Sequence, residues 1–97
     1  MLASLHYEDY APHLNSTFQL RAGNQRWEIE LIAVTDKSPS LRQEQFTLQF
    51  RGPADAPPYQ SMFQIEHAAL GADELLLVPV FRDAQGLYYE AIFNRPR

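Results

Sequence analysis

Apolar and polar residues alternate strictly at two places in the chain. Trp27, Ile29 and Leu31 are separated by Glu28 and Glu30; Phe46, Leu48 and Phe50 are separated by Thr47 and Gln49. A period of two sends successive side chains to opposite faces of a strand, so each stretch predicts a strand with one face on a core. Residues 17–20 alternate over a shorter span, and Ala22-Gly23-Asn24-Gln25 reads as the turn that follows. Beyond Leu31 the pattern runs on through Ile32, Ala33, Val34 and Thr35 without clean alternation. That predicts a long strand that twists, bulges or is buried on both faces. Residues 60–66 predict a fourth strand, with Phe63 and Ile65 on one face and Met62 and Gln64 on the other.

The clearest local pattern comes last. Residues 75–81 form an apolar run, Asp83 to Gly86 a turn, and residues 87–93 a second apolar, β-prone run. Asp at the first and Gly at the fourth turn position predict a type I turn closing a β-hairpin. Pro79 lies inside the first run and has no N–H to donate, so it marks an edge position or a bulge, a place where either the sheet bends or a partner approaches. His67 to Gly71 predicts a single helical turn ended by Gly71 in the left-handed region. Leu5, Tyr7, Tyr10, Ala11 and Leu14 recur at roughly helical spacing, and Pro12 limits the helix to about residues 7–11. Its aromatic face is expected to pack on one end of the sheets. Residues 36–44 read as a polar loop, and residues 52–58, with Pro53, Pro57 and Pro58, as an irregular one.

The sum is a mainly β chain, one domain spanning residues 1–97, with about six strands and a short N-terminal helix. No strand–helix–strand alternation is present, so the expected architecture is an antiparallel meander curled into a small β-barrel or a two-sheet sandwich. At 97 residues one modest core is possible.

Composition narrows the chemistry more than the fold. The absence of cysteine excludes disulfides and thiolate metal sites. A net charge of −4, with the eight basic residues scattered, argues against nucleic acid. No apolar run approaches the roughly 20 residues of a membrane-spanning helix, and the first nine residues lack a secretory-signal pattern. A cytoplasmic bacterial protein fits these facts.

Candidate catalytic groups are few. His6 and His13 are seven apart, near Glu8 and Asp9, but Pro12 interrupts a common helix and the spacing is not that of a zinc site. Glu66 and His67 are neighbours on a strand and point to opposite faces; Glu66 is expected to cap the turn that follows, or His67 to bond a backbone carbonyl. Glu28 and Glu30 share the solvent face of their strand. Ser4, Ser16, Ser38, Ser40 and Ser61 lack a Gly-x-Ser-x-Gly setting, and the four glycines stand singly at turns. No catalytic, metal-ligating or cofactor-binding residue is therefore expected, and no cofactor. What remains is Arg51, Tyr59, Phe81, Tyr88 and Tyr89, residue types enriched at protein interfaces, together with Pro79 as the mark of the edge where a partner would bind. Consecutive tyrosines place one ring inward and one outward.

Five blocks also carry a family resemblance. They are Tyr10-Ala11-Pro12-His13-Leu14 before Thr17-Phe18, the Glu-Gln-Phe-x-Leu-x-Phe-Arg-Gly-Pro block of residues 44–53, and the Glu-His-x-x-Leu-Gly block within residues 63–71. Leu-Val-Pro-Val follows at residues 77–80, and Tyr-Glu-Ala-Ile-Phe-Asn at 89–94. Together they resemble a family of small bacterial proteins classed as a domain of unknown function. Asn15 stands where that family usually has glycine, and asparagine also tolerates the left-handed conformation. Gln60-Ser61 stands where the family often has Gln-Gly. The resemblance implies no activity. Its members' proximity to genes for tail-fibre-like collar proteins implies an accessory or assembly role.

The expected function is a non-enzymatic protein-interaction or assembly module that binds a larger protein, such as a phage-tail-like fibre subunit, through a sheet edge or the aromatic patch. One alternative is a small-molecule binder or small enzyme with a pocket inside a barrel, using Glu66, His67 or Glu90. Another is a homo-oligomeric structural subunit.

Overall fold

The computed structural model describes residues 2–96. Its strands are β1 (Thr17–Ala22), β2 (Gln25–Asp36), β3 (Gln43–Gly52), β4 (Ser61–His67), β5 (Gly71–Asp83) and β6 (Gly86–Pro96). All pairings are antiparallel, and the order β1-β2-β3-β6-β5-β4 closes into a barrel where β4 meets β1. The alternating stretches form strands as expected. The irregular continuation of β2 is a bulge, with the register shifting between Leu31 and Ala33. Asn15 has φ 69°, the left-handed conformation that the family resemblance implied for that position.

The strand order differs from a simple meander, which would set β4 beside β3. Instead β3 pairs with β6 along its whole length, from Gln43↔Pro96 to Gly52↔Leu87. β4 lies beside β1, so strands 4-1-2-3 form a Greek key. The reason is in the connection and in the faces. The proline-rich segment between β3 and β4 cannot turn tightly. Phe46, Leu48 and Phe50 of β3 find matching inward positions in Phe93, Ala91 and Tyr89 of β6.

Pro79, expected at an edge position or a bulge, meets both conditions. The β4 ladder ends at Ser61↔Leu77, so residues 78–83 of β5 pair with β6 alone. Pro79 sits at a bulge, where the β5–β6 register shifts between Pro79 and Phe81. The extra residue accommodates the missing donor.

Inward side chains fill the barrel: Phe18, Leu20, Ile29, Leu31, Phe46, Leu48, Phe50, Phe63, Ile65, Leu75, Leu77 and Tyr89 are all buried. Each end is covered by a different segment. At one end the β3–β4 connection folds across, burying Ala56 and Pro57, and the buried Tyr89 hydroxyl donates to the Pro57 carbonyl at 2.6 Å. Burial pushes the Tyr89 phenol up to about 12, so it stays a neutral donor. Tyr89→Phe would leave the Pro57 carbonyl unpaired and is expected to cost about 1–2 kcal/mol. A shifted urea midpoint would measure that loss, and an unshifted one would refute it.

At the other end lies the N-terminal segment: a 3-10 turn at Leu2–Ser4, the helix α1 (Tyr7–Tyr10) and a second 3-10 turn at Ala11–His13. The expected aromatic face is there. Tyr10 packs against Phe46 and Phe93, with ring centroids 6.0 and 5.8 Å away, and Tyr7 meets Phe46 edge-on. Among the described residues no helix is long and apolar enough to cross a membrane.

Candidate functional site

The alternation that sends Tyr89 into the barrel turns Tyr88 to the outer face, where its neighbours leave it only 8% exposed. Tyr88 pairs in register with Arg51 on β3 and Phe81 on β5. Its ring meets that of Phe81 at 5.4 Å, and its hydroxyl donates to Asp83 Oδ2 at 3.0 Å. Arg51 Nη2 donates to Glu30 Oε1 at 2.9 Å. Contact with Tyr88 first, and with Glu30 after it, raises the Arg51 pKa against the cost of partial burial. Glu30, Arg51, Tyr88 and Phe81 thus form one row across four strands. The row ends at Phe81, which is 58% exposed.

The bulge at Pro79 shapes this row. One extra residue changes the inward–outward phase of β5, so Val80 and Phe81 are both exposed. Before the bulge Leu75 and Leu77 are buried while Leu76 is exposed. Met62 stands opposite Leu76 on β4, and Met62, Leu76 and Ile92 share a shallow depression of about 180 Å³. Five of the eight exposed large apolar side chains among the described residues (Met62, Leu76, Val80, Phe81 and Ile92) therefore lie on the outer face of β4, β5 and β6.

Three of the six interface candidates come together, Arg51, Tyr88 and Phe81, while Pro79 is half-buried and stands opposite the inward Tyr89. Tyr59 lies on the loop before β4, exposed and packed on Phe63, outside the row. Tyr89 is fully buried and bonded to Pro57, so its ring is not available to a partner.

The histidines divide between two places. His67 Nδ1 accepts the backbone N–H groups of Ala69 and Leu70, at 3.0 and 3.2 Å. His67, not Glu66, therefore caps the turn, and its ring accepts N–H groups rather than bonding a carbonyl; Glu66 instead pairs with Arg21 at 2.8 Å. With Nδ1 accepting, the proton sits on Nε2, which donates to Ser16 Oγ at 3.0 Å; that hydroxyl in turn donates to the His13 carbonyl. A serine nucleophile needs the opposite wiring, with the imidazole accepting the hydroxyl proton. Burial, and the His13 ring 4.9 Å away, lower the His67 pKa. The arrangement is that of a structural bond.

His6 serves another centre, one that sequence reasoning missed. Residues 43 and 44 belong to β3 rather than to the preceding loop, and Glu44 is fully buried. Its carboxylate accepts from His6 Nδ1 at 2.7 Å, the Tyr7 backbone N–H at 2.9 Å and Arg95 Nε at 3.2 Å. Arg95 also donates to the Ala3 and Leu5 carbonyls and lies over the Phe46 and Phe93 rings. Burial pushes the Glu44 carboxyl up, but its three donors outweigh that and hold it at about 2. The available signal was phase: Glu44 is two residues before Phe46 and so on the same face. Among the described residues no group of three or more His, Cys, Asp or Glu side chains could hold a metal ion.

A closed six-stranded antiparallel sheet, plugged at both ends and apolar on part of its outer face, defines a small all-β domain. Residues 5–93 match the family described as Domain of unknown function (DUF6916), and the chain belongs to it. No curated protein and no solved structure matches the chain.

Proposed function

We propose that the chain is a non-enzymatic protein-interaction module that docks through the outer face of β5 and β6. The observation that carries this reading is the concentration of exposed apolar side chains there, anchored by the Arg51–Tyr88–Phe81 row. Interfaces favour these residue types because large rigid rings and a planar guanidinium bury much area at small entropic cost. The Ser16–His67 wiring and the side chains that fill the barrel support a binding role over a catalytic one. The family resemblance supports an assembly role in the bacterial cytoplasm, with a tail-fibre-like protein as a partner.

Hydroxyl-radical footprinting of the chain, purified and in extract of its native host, tests this reading. Met62 and Phe81 are expected to be several-fold less reactive in the extract, while Leu41, exposed elsewhere, stays unchanged. Equal reactivity of the face in both samples would refute the reading.

A further inference from the structure

The N–H groups of Ala69 and Leu70, in the turn between β4 and β5, both end on one atom, the unprotonated Nδ1 of His67. The opposite ring nitrogen fixes that state a second time. Ser16 Oγ donates its one proton to the His13 carbonyl, so from His67 it can only accept, and Nε2 must carry the proton. His67 thus fastens the turn to the segment before β1. Ser16 is itself held to β2, because its carbonyl accepts the Leu31 N–H at 3.1 Å.

A proton added at Nδ1 would face those two N–H groups at 3.0 and 3.2 Å, with donors converging and no acceptor among them. The ring cannot keep its place, and the turn loses both bonds. The surroundings offer the cation no free anion. His13, on the second 3-10 turn, has its ring 4.9 Å away, and two imidazolium rings there would repel. On β1, Thr17, Phe18 and Gln19 are uncharged; the Phe18 ring, 4.4 Å away, attracts a cation without supplying an acceptor at Nδ1. On β5, Gly71 stands opposite His67 and Ala72 follows it, both uncharged, and Asp73 is engaged by the Ala3 N–H. On β4 itself Glu66 is paired with Arg21 of β1 at 2.8 Å.

We infer that His67 is a pH-sensitive clasp on the β4–β5 turn, closed by the neutral ring and opened by protonation at Nδ1 while the barrel stays folded. Burial and then His13 hold the His67 pKa below its ordinary value of 6.5, so folding favours the neutral ring. The clasp is therefore closed above about pH 6.5 and opens as the pH falls below it, through the lowered folded value. Opening loosens Leu70, which packs against the core from this turn. The clasp is independent of the reading of the outer face of β5 and β6 as an interaction surface.

An NMR titration of the isotope-labelled chain from about pH 7.5 to about pH 5 tests it. At the upper end, ring correlations are expected to show the Nε2–H tautomer of His67. On acidification the Ala69 and Leu70 amide protons are expected to move upfield along the same curve as the His67 ring, with the amides of the β3–β6 ladder unchanged. In His67→Asn the side-chain oxygen can accept in place of Nδ1 and does not titrate, so both amide protons are expected to hold their positions. An Nδ1–H tautomer at the upper end, Ala69 and Leu70 amides that stay fixed while the ring titrates, or the same shifts in His67→Asn would each overturn the inference. So would loss of the β3–β6 signals along the His67 curve, since the whole barrel would then be opening rather than the turn.

Discussion

Glu44→Gln is expected to destabilise the protein by about 3–5 kcal/mol, the usual cost of removing one member of a buried ion pair. The substitution keeps the volume but removes the charge, and it leaves Arg95 without its anion where only part of that side chain reaches water. The amide can still accept at one oxygen, but its other end is a donor, and the three groups around Glu44 are all donors. The damage is expected to concentrate on the N-terminal segment, which Glu44 and Arg95 hold through His6, Tyr7, Ala3 and Leu5. Loss of that segment would uncover the stacked Phe46 and Phe93 rings, 4.6 Å apart at the end of the barrel.

The same residue sets a pH dependence. Its folded pKa of about 2 lies below the ordinary value of 4.5, so the folded state favours the carboxylate. The stabilisation is fully present above about pH 5 and is lost as the pH falls toward 2, with a size of roughly 3 kcal/mol. Urea unfolding at pH 7 and pH 3 would measure it. Wild type is expected to lose more stability on acidification than Glu44→Gln does, and equal losses would show that another group governs acid unfolding. Hydrogen exchange of the Tyr7 N–H adds a local check: its protection is expected to fall in Glu44→Gln more than that of the β3–β6 ladder.

Gly86→Ala is expected to cost about 3 kcal/mol or more, by two separable effects. Gly86 has φ 144°, a conformation that side chains rarely adopt. A Cβ there would also run into the backbone carbonyl of Gly52, to which the start of β6 is closely apposed. Gly71 isolates the first effect. It has φ 95°, and a Cβ added there would meet nothing within 4 Å. Gly71→Ala is therefore expected to cost only about 1–2 kcal/mol of backbone strain. Chemical denaturation of both variants would compare them. If Gly86→Ala proved as mild as Gly71→Ala, the close approach of β6 to Gly52 would be the wrong account.

Local features were legible in the sequence. Trp27 to Leu31 and Phe46 to Phe50 alternate, and they form strands. The last hairpin turns at Ala84 and Gln85, with the Gln85 N–H bonded to Asp83, because Asp at that position favours such a turn. Tyr88 and Tyr89 were expected to split between the two faces, and the structure shows which is which. Glu44 was harder to read. A charged residue after a polar stretch looks like loop, and only its phase with Phe46 marked it as inward. Its partners are 38 and 51 residues away, at His6 and Arg95, and no local pattern announces them.

The Pro79 bulge shows the division most sharply. Proline in an apolar run called for either an edge or a bulge, since both spare a missing donor, and nothing local chooses between them. The fold combines them: the β4 ladder stops at Leu77, and the β5–β6 register shifts between Pro79 and Phe81. The strands, the turns, the N-terminal helix and the absence of thiol chemistry follow from the residues alone, because periodicity and turn preference act within a few residues. The strand order, the buried Glu44 centre and the apolar outer face arise only on folding. These depend on which distant strands have matching core faces, and on which side of a strand the closed sheet leaves uncovered.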